Sequence, residues 1–395
     1  MARVVLAMSG GVDSSVAAHL LTDAGHDVIG VFMRHGETAE SHCATGVGFA
    51  AGTNATAAAA PSDEESRCLQ GTLPGGQLPI ISSRPGHKQG CCTASDAADA
   101  RRIADLLDIP FYALDFRDDF ARIMDYFVDE YTAGRTPNPC VMCNNWLKFG
   151  TLAEYADSVG AEYIATGHHA RVVRDERGTP ALVRGADASK DQSYVLFGID
   201  RNILRRVLLP VGEFQKSEIR ALAHERGLRV ADKQDSQEIC FVVDNDYAAF
   251  VRRRGGAIDR AGEIVTTTGE VVGHHAGIEG FTIGQRKGLG IAFGTPRYVV
   301  RLEPASRRVV IGTHDELACT SLAARNVNWL IDPPQSPLRC EVKIRYLSQP
   351  VGATIEPTAP DRFRATLDEA KHGVAPGQAA VCYAGDRVLG GGWIE

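Results

Sequence analysis

The sequence predicts an α/β protein in which a doubly wound parallel sheet is followed by a small central domain and a C-terminal antiparallel β-barrel. Three observations carry this expectation. Apolar strands alternate with helical patterns from the N-terminus onward, the pattern of a parallel sheet whose ligands sit at the carboxyl ends of its strands. Beyond residue 281 the helical period fades and short β-type runs recur between Gly/Pro turns, as in a small barrel or sandwich. At 395 residues the chain exceeds what one core usually serves, so two or three domains are expected.

In chain order, Val4 to Met8 reads as a strand, followed by a helix to about Ala24 and a strand from Val28 to Met33. From about residue 36 to residue 90 the pattern is interrupted by a stretch rich in Ala, Gly, Ser, Thr and Pro with no sustained apolar period. It reads as a long insertion to which no chemistry is assigned, and Cys43 and Cys68 within it read as incidental. Alternation resumes with a helix from about Ser95 to Leu107, a strand at Phe111 to Leu114, a helix through Tyr126 and a strand at Tyr163 to Thr166. From about Gly212 to Arg229 the period is helical again, with Ser217 as a cap before Glu218, Ile219 and Leu222. The later β-type runs are Tyr298 to Leu302, Arg308 to Ile311, Cys340 to Ile344, Phe363 to Leu367 and Ala379 to Tyr383. The expected domains are therefore 1–211, 212–283 carrying Cys240, and 284–395.

Composition narrows the class. A hydrophobic share of 44% with 23% charged residues is ordinary for a soluble globular protein. No stretch approaches the roughly 18 consecutive apolar residues that span a bilayer, and the N-terminus reads as a core strand, so a cytoplasmic protein without membrane contact is expected. The ten cysteines are spread along the chain, unlike a secreted disulfide scaffold, and in a reducing compartment stay mostly thiols. A net charge of −7 argues against bulk attraction to nucleic acid. Residues 1–280 hold 28 Lys/Arg against 38 Asp/Glu, whereas residues 281–395 hold 14 against 11, so the C-terminal part is the less hostile to a polyanion.

The run Ala7-Met8-Ser9-Gly10-Gly11-Val12-Asp13-Ser14-Ser15 follows the first strand directly. Two adjacent glycines permit positive φ and close backbone approach, and the amides at the start of the next helix face an anion. Adjacent glycines alone also serve simple turns. Here Ser9, Ser14 and Ser15 add hydroxyls for phosphate oxygens, and Asp13 adds a carboxylate suited to Mg²⁺. The run is neither the Gly-x-x-x-x-Gly-Lys-Ser/Thr loop nor the Gly-x-Gly-x-x-Gly fingerprint. It resembles the Ser-Gly-Gly-x-Asp-Ser loop of the PP-loop ATP pyrophosphatases, with an adenine nucleotide α-hydrolase-like fold. That resemblance implies ATP cleaved between its α and β phosphates with adenylation of a substrate oxygen.

The second informative run is Thr136-Pro137-Asn138-Pro139-Cys140-Val141-Met142-Cys143-Asn144. Two prolines fix an extended approach, and the C-x-x-C spacing brings two thiols onto a tight turn or the first turn of a helix, where a thiolate is stabilised. A pair of small hydrophobes or half of a zinc site is the alternative, but a zinc ribbon needs a second C-x-x-C and the sequence has none. Cys240 lies in Asp235-Ser236-Gln237-Glu238-Ile239-Cys240-Phe241 and taken alone reads as a buried thiol.

Taken together, the runs resemble the tRNA-specific 2-thiouridylases. The resemblance covers nearly the whole chain outside the 36–90 insertion. It rests on Ser9 to Ser14, Gly30-Val31-Phe32-Met33, Thr136 to Asn144, Thr166-Gly167-His168-His169-Ala170, Lys190-Asp191-Gln192-Ser193-Tyr194, Ser236 to Phe241, Gly284-Gln285-Arg286-Lys287-Gly288-Leu289-Gly290 and Ile344-Arg345-Tyr346. It implies an ATP site formed by Ala7, Met8, Ser9, Gly10, Gly11, Val12, Asp13, Ser14, Met33 and Gly167. It further implies Cys143 as nucleophile, Cys240 as the persulfide-bearing cysteine, and a Cys143–Cys240 disulfide after turnover. Asn138, Pro139 and Cys140 would lie against the target base. His168, Lys190, Asp191, Gln192, Arg345, Tyr346 and Gln378 would contact tRNA. Lys190 and Arg345 suit phosphate, Tyr346 offers a stacking face, and Gly167 permits close approach to the nucleotide.

One departure stands out. Some members of that family carry aspartate where this chain has Cys140, which makes Cys140, Cys143 and Cys240 a three-thiolate set of the size that holds a [4Fe–4S] cluster. The resemblance implies ATP-dependent replacement of the wobble uridine O2 by sulfur, with Mg²⁺, a persulfide-donating sulfur carrier, tRNAs for Lys, Glu and Gln, and a monomer. The alternatives are the same reaction with sulfur held on the cluster, or another PP-loop ligase such as a lysidine synthetase, which would not need Cys143 and Cys240.

Overall fold

The computed structural model describes residues 1–35, 93–235, 239–242, 245–256 and 259–395. The expected insertion at 36–90, with Cys43 and Cys68, lies outside the described residues. The first domain is built on β1 (Arg3–Ala7), α1 (Val12–Asp23), β2 (Asp27–Arg34), α2 (Ala94–Leu106), β3 (Phe111–Asp115) and α3 (Arg117–Thr132). It continues through α4 (Pro139–Met142), a π-helical run Cys143–Thr151, α5 (Leu152–Ser158) and β4 (Tyr163–Ala165). The hairpin β5 (Ala170–Arg174) and β6 (Pro180–Arg184) follows, then α6 (Arg201–Leu204), β7 (Val207–Leu208) and α7 (Lys216–Glu225). The parallel sheet has the order β3-β2-β1-β4-β7.

β1 sits at the centre because its residues are apolar on both faces, as a strand covered by helices on both sides must be. Val5 and Ala7 point into one core with Ile29, Val31, Leu147, Leu152 and Ile164. Val4, Leu6 and Met8 point into the opposite core with Val16, Ala17 and Leu21 of α1 and Ile219 and Ala223 of α7. The helix expected at 212–229 is therefore shorter, and it belongs to the first domain's core. Its N-cap is Gln215, in a reciprocal capping box with Glu218, rather than Ser217.

The central module begins with α8 (Tyr247–Gly255) and continues in β8 (Gly262–Thr266), β9 (Val271–His275), β10 (Tyr298–Glu303) and β11 (Arg308–Gly312), ordered β10-β11-β8-β9. Val299, Val309 and Ile311 pack with Ile264, Ile278, Phe281 and Leu289. The expected boundary at 283/284 thus cuts this sheet: the runs at 298–302 and 308–311 pair with each other, and the second pairs with β8, rather than joining the barrel. The period of a strand announces its existence but not its partner.

The barrel itself comprises β12 (Ala318–Trp329), β13 (Leu338–Lys343), β14 (Val351–Ala359), β15 (Arg362–His372), β16 (Ala379–Ala384) and β17 (Arg387–Ile394). Its order is β12-β15-β14-β13-β16-β17, and β12 pairs β17 to close it, which removes free edges. The β5–β6 hairpin of the first domain reaches it at Val183 and Arg387. Among the described residues no helix is long and apolar enough to cross a membrane.

Candidate active site

The phosphate loop is held by its own hydroxyls. Ser14 Oγ donates to the Gly11 carbonyl at 3.1 Å and accepts from the Ser9 amide at 3.2 Å, while Ser15 Oγ donates to Gly11 O at 2.9 Å. Gly11 is the N-cap of α1 and no side chain caps that helix, so its first amides are left for a ligand. Gly10 has φ +71°, and a Cβ there would lie 2.2 Å from the Asp96 carbonyl oxygen. A Cβ on Gly167, at the end of β4, would lie 2.7 Å from the Ser14 nitrogen. The loop, Gly167 and the end of β2 with Met33 therefore form a cradle of bare backbone suited to a nucleotide triphosphate.

Asp13 does not stand alone. Its carboxylate accepts from Lys216 Nζ at 2.7 and 2.8 Å and lies 3.0 Å from His169 Nε2. Burial pushes the Asp13 carboxyl up, but the His169 and Lys216 contacts outweigh it and hold it below its usual range. Lys216 Nζ also lies 2.8 Å from Asp235, which is bonded to Lys190 at 2.8 Å and Arg220 at 3.3 Å. There too burial works upward and loses to Lys190 and Lys216, so Asp235 is held at about 2. Two residues earlier, Lys233 Nζ donates to the Gly10 carbonyl at 2.8 Å and pairs with Asp96 and Asp99. His169, Lys216, Lys233 and Asp235 were not singled out by the sequence patterns. His169 stood in the Gly167-His168-His169 run, but neither lysine carries a local signature.

The cysteine loop is positioned differently. Asn138 caps α4 by accepting from the Val141 amide at 3.3 Å, and Pro139 occupies the first helical turn, where its missing amide costs nothing. Cys140 therefore lies in that first turn and is exposed, whereas Cys143 follows at the start of the π-helical run. Cys143 and Cys240 both pack against one small apolar cluster of Phe120, Ile123 and Met142, with Trp146, Phe241 and Trp393 around it. Residues 236–238, which join Asp235 to this stretch, lie outside the described residues. Among the described residues no three His, Cys, Asp or Glu side chains are grouped so as to hold a metal ion.

The barrel reaches this loop. Gln378 Nε2 donates to the carbonyls of Thr136 and Pro137, each at 3.1 Å, and the Thr136 amide donates to Pro376 O at 2.7 Å. Tyr346 packs near Tyr194, and burial together with the charges of Asp191, Cys140 and Asp235 raises its phenol pKa. Arg345 Nη2 donates to Ile283 O at 2.8 Å. His168 and Asp191 are buried. His168 bonds Thr166 Oγ1 at 2.7 Å and faces Lys148, and burial drives its pKa well below the usual value, so it stays neutral. Asp191 accepts from the amides of Gly185 and Ser193, and Gln192 Oε1 accepts from the His169 amide at 2.8 Å. His168, Asp191, Gln192 and Gln378, expected at a tRNA surface, are thus bonded to the protein's own groups.

Three family models match the chain in succession. The tRNA methyl transferase HUP domain matches residues 2–63 and 77–244, the tRNA methyl transferase PRC-barrel domain residues 248–313, and the aminomethyltransferase beta-barrel domain residues 319–394. Among curated relatives, the tRNA-specific 2-thiouridylase MnmA of Rhodopirellula baltica is 52% identical, covering 100% of this chain and 96% of that protein. Those of Geotalea uraniireducens and Clostridium perfringens are 43% and 41% identical, covering 100% of this chain and 95% and 98% of theirs. With a PP-loop cradle, two cysteines on one apolar cluster and this likeness along its full length, the chain belongs to the tRNA-specific 2-thiouridylase family of tRNA-uridine 2-sulfurtransferases.

Proposed function

We propose that the protein thiolates the wobble uridine of tRNA in two chemical stages. Uridine O2 is a poor leaving group, so it first attacks the α-phosphorus of ATP and pyrophosphate departs. The amides of Gly11 to Ser14 and the start of α1 stabilise the charge that develops on the phosphate. Mg²⁺ carried with ATP would be held near Asp13. The oxygen is now an adenylate and can leave as AMP.

Cys240 carries the incoming sulfur as a persulfide delivered by a sulfur carrier protein. Its terminal sulfur bonds to C2 as the C2–O2 bond breaks and AMP departs. Cys143 then attacks the inner sulfur of the mixed disulfide, leaving 2-thiouridine and a Cys143–Cys240 disulfide. The two thiols supply the two electrons, and an external dithiol returns them. Asn138, Pro139 and the exposed Cys140 line the approach of the base, which leaves the single-stranded anticodon stack at modest cost. Lys190, Arg345 and Tyr346 face the backbone and bases of tRNAs of the Lys, Glu and Gln type.

The observation that carries this reading is the meeting of Cys143 and Cys240 on the Phe120, Ile123 and Met142 cluster, at the edge of a domain that also holds the phosphate cradle. A lysidine synthetase would need no such pair. The test is incubation of the reduced protein with Mg·ATP, a persulfide donor and unmodified tRNA, with nucleoside analysis by mass spectrometry. 2-Thiouridine together with AMP and pyrophosphate is expected; its absence with several wobble-uridine tRNAs sinks the reading. Iron and sulfide content after anaerobic purification should be negligible in active protein.

A further inference from the structure

We propose that Lys216 is a positioning residue that ties occupancy of the phosphate loop to the placement of the Cys240 segment, through Asp13 on one side and Asp235 on the other. This rests on the reading of the loop as an ATP site. Lys216 is the first residue of α7, where the helix dipole disfavours a cation, and its side chain is only 9% exposed. An ammonium in such a place is stable only between anions, and it has two: Asp13 at 2.7 Å and Asp235 at 2.8 Å. One stands inside the phosphate loop. The other stands five positions before Cys240.

A second tie runs in parallel. Lys233 donates to the carbonyl of Gly10, the loop residue of positive φ, so the stretch leading toward Cys240 grips the loop at two points, one through backbone and one through charge. A polyanion in the loop offers Lys216 a new partner, and a divalent cation carried with it competes for Asp13. Either change alters the pull of Lys216 on Asp235, and the coupling is reciprocal because both ligands bias one shared element. Asp235 retains Lys190 and Arg220 when Lys216 is removed, so loss of the lysine cuts the link without stripping the segment of its cations.

The experiment measures alkylation of Cys240 by iodoacetamide in the full-length protein without tRNA, with Cys319 as internal reference, by peptide mass spectrometry. Mg·ATP binding is measured separately by equilibrium dialysis, so every comparison is made at saturation. In the wild type, Mg·ATP should change the Cys240 rate by about fivefold or more. In Lys216→Met the change should shrink to below about twofold even when ATP is bound, and Lys216→Arg should restore most of it. Asp235→Asn, which keeps side-chain volume, should lose the effect likewise and serves if Lys216→Met does not fold. A wild-type effect that survives in Lys216→Met or Asp235→Asn overturns the proposal, as does bound ATP with no effect in the wild type. Failure of the wild type to bind ATP overturns the ATP reading along with it.

Discussion

The phosphate loop and the cysteine site are built on opposite physical principles. Around Gly10 to Ser15 the hydroxyls of Ser14 and Ser15 brace the loop from within while the first amides of α1 are left to a ligand, and the cradle is shaped by the absence of two Cβ atoms. Around Cys143 and Cys240 the packed neighbours are apolar and aromatic: Phe120, Ile123, Met142, Trp146, Phe241 and Trp393. Activation of an oxygen by a triphosphate calls for dipoles fixed in advance. Sulfur transfer calls for a dry, polarizable surface from which water is kept away. Loss of the chemistry in one half should therefore leave binding in the other largely intact, provided the Lys216 link is untouched.

The sharpest way to break the comparison is at the glycines. Gly167→Ala or Gly10→Ala drives a Cβ into backbone that cannot yield, and ATP affinity in equilibrium dialysis should fall by more than about tenfold. Thiolation should fall with it. Cys143→Ser and Cys240→Ser should instead abolish 2-thiouridine formation while ATP affinity stays within about twofold. Loss of ATP binding in those variants would show that the thiols themselves help to hold the nucleotide.

Smaller effects sharpen the boundary. Gln378→Ala leaves the Thr136 and Pro137 carbonyls without their donor and should cost about 1–3 kcal/mol of stability in urea titrations. It should lower kcat for thiolation with little change in ATP affinity. The smallest effect concerns pH. His168 has its pKa depressed from 6.5 in the fold, so its contribution to stability is complete above that value and is lost as pH falls. Urea midpoints should decline below pH 6.5 in the wild type and decline less steeply in His168→Gln.

The first half of the fold was legible because its signals are local. Val4, Val5 and Leu6 announce a central strand, and Ser9 to Ser15 announce the loop, within one short window. The Cys140 and Cys143 loop was legible through Pro137, Pro139 and the C-x-x-C spacing, whereas the cap by Asn138 came only with the structure. What the sequence withheld is pairing at long range. The strands at Tyr298 and Arg308 were visible as strands, yet the pairing of the second with β8 was not, so the domain boundary fell in the wrong place. Lys216 and Lys233 were invisible for the same reason: a lysine at the start of an amphipathic helix reads as solvent-facing until the carboxylates of Asp13 and Asp235 are brought to it. Cys143 and Cys240 were linked by family likeness; their shared cluster is a tertiary fact.

The clamp of Gln378 on the Thr136 and Pro137 carbonyls joins residues 242 and 241 positions apart. During synthesis the parallel sheet and its phosphate loop emerge first, and domains fold as they emerge. A nascent chain can thus acquire its nucleotide cradle while the strand that secures the cysteine loop has yet to be translated. The cysteine loop is thus secured only once the last strands of the chain have been made.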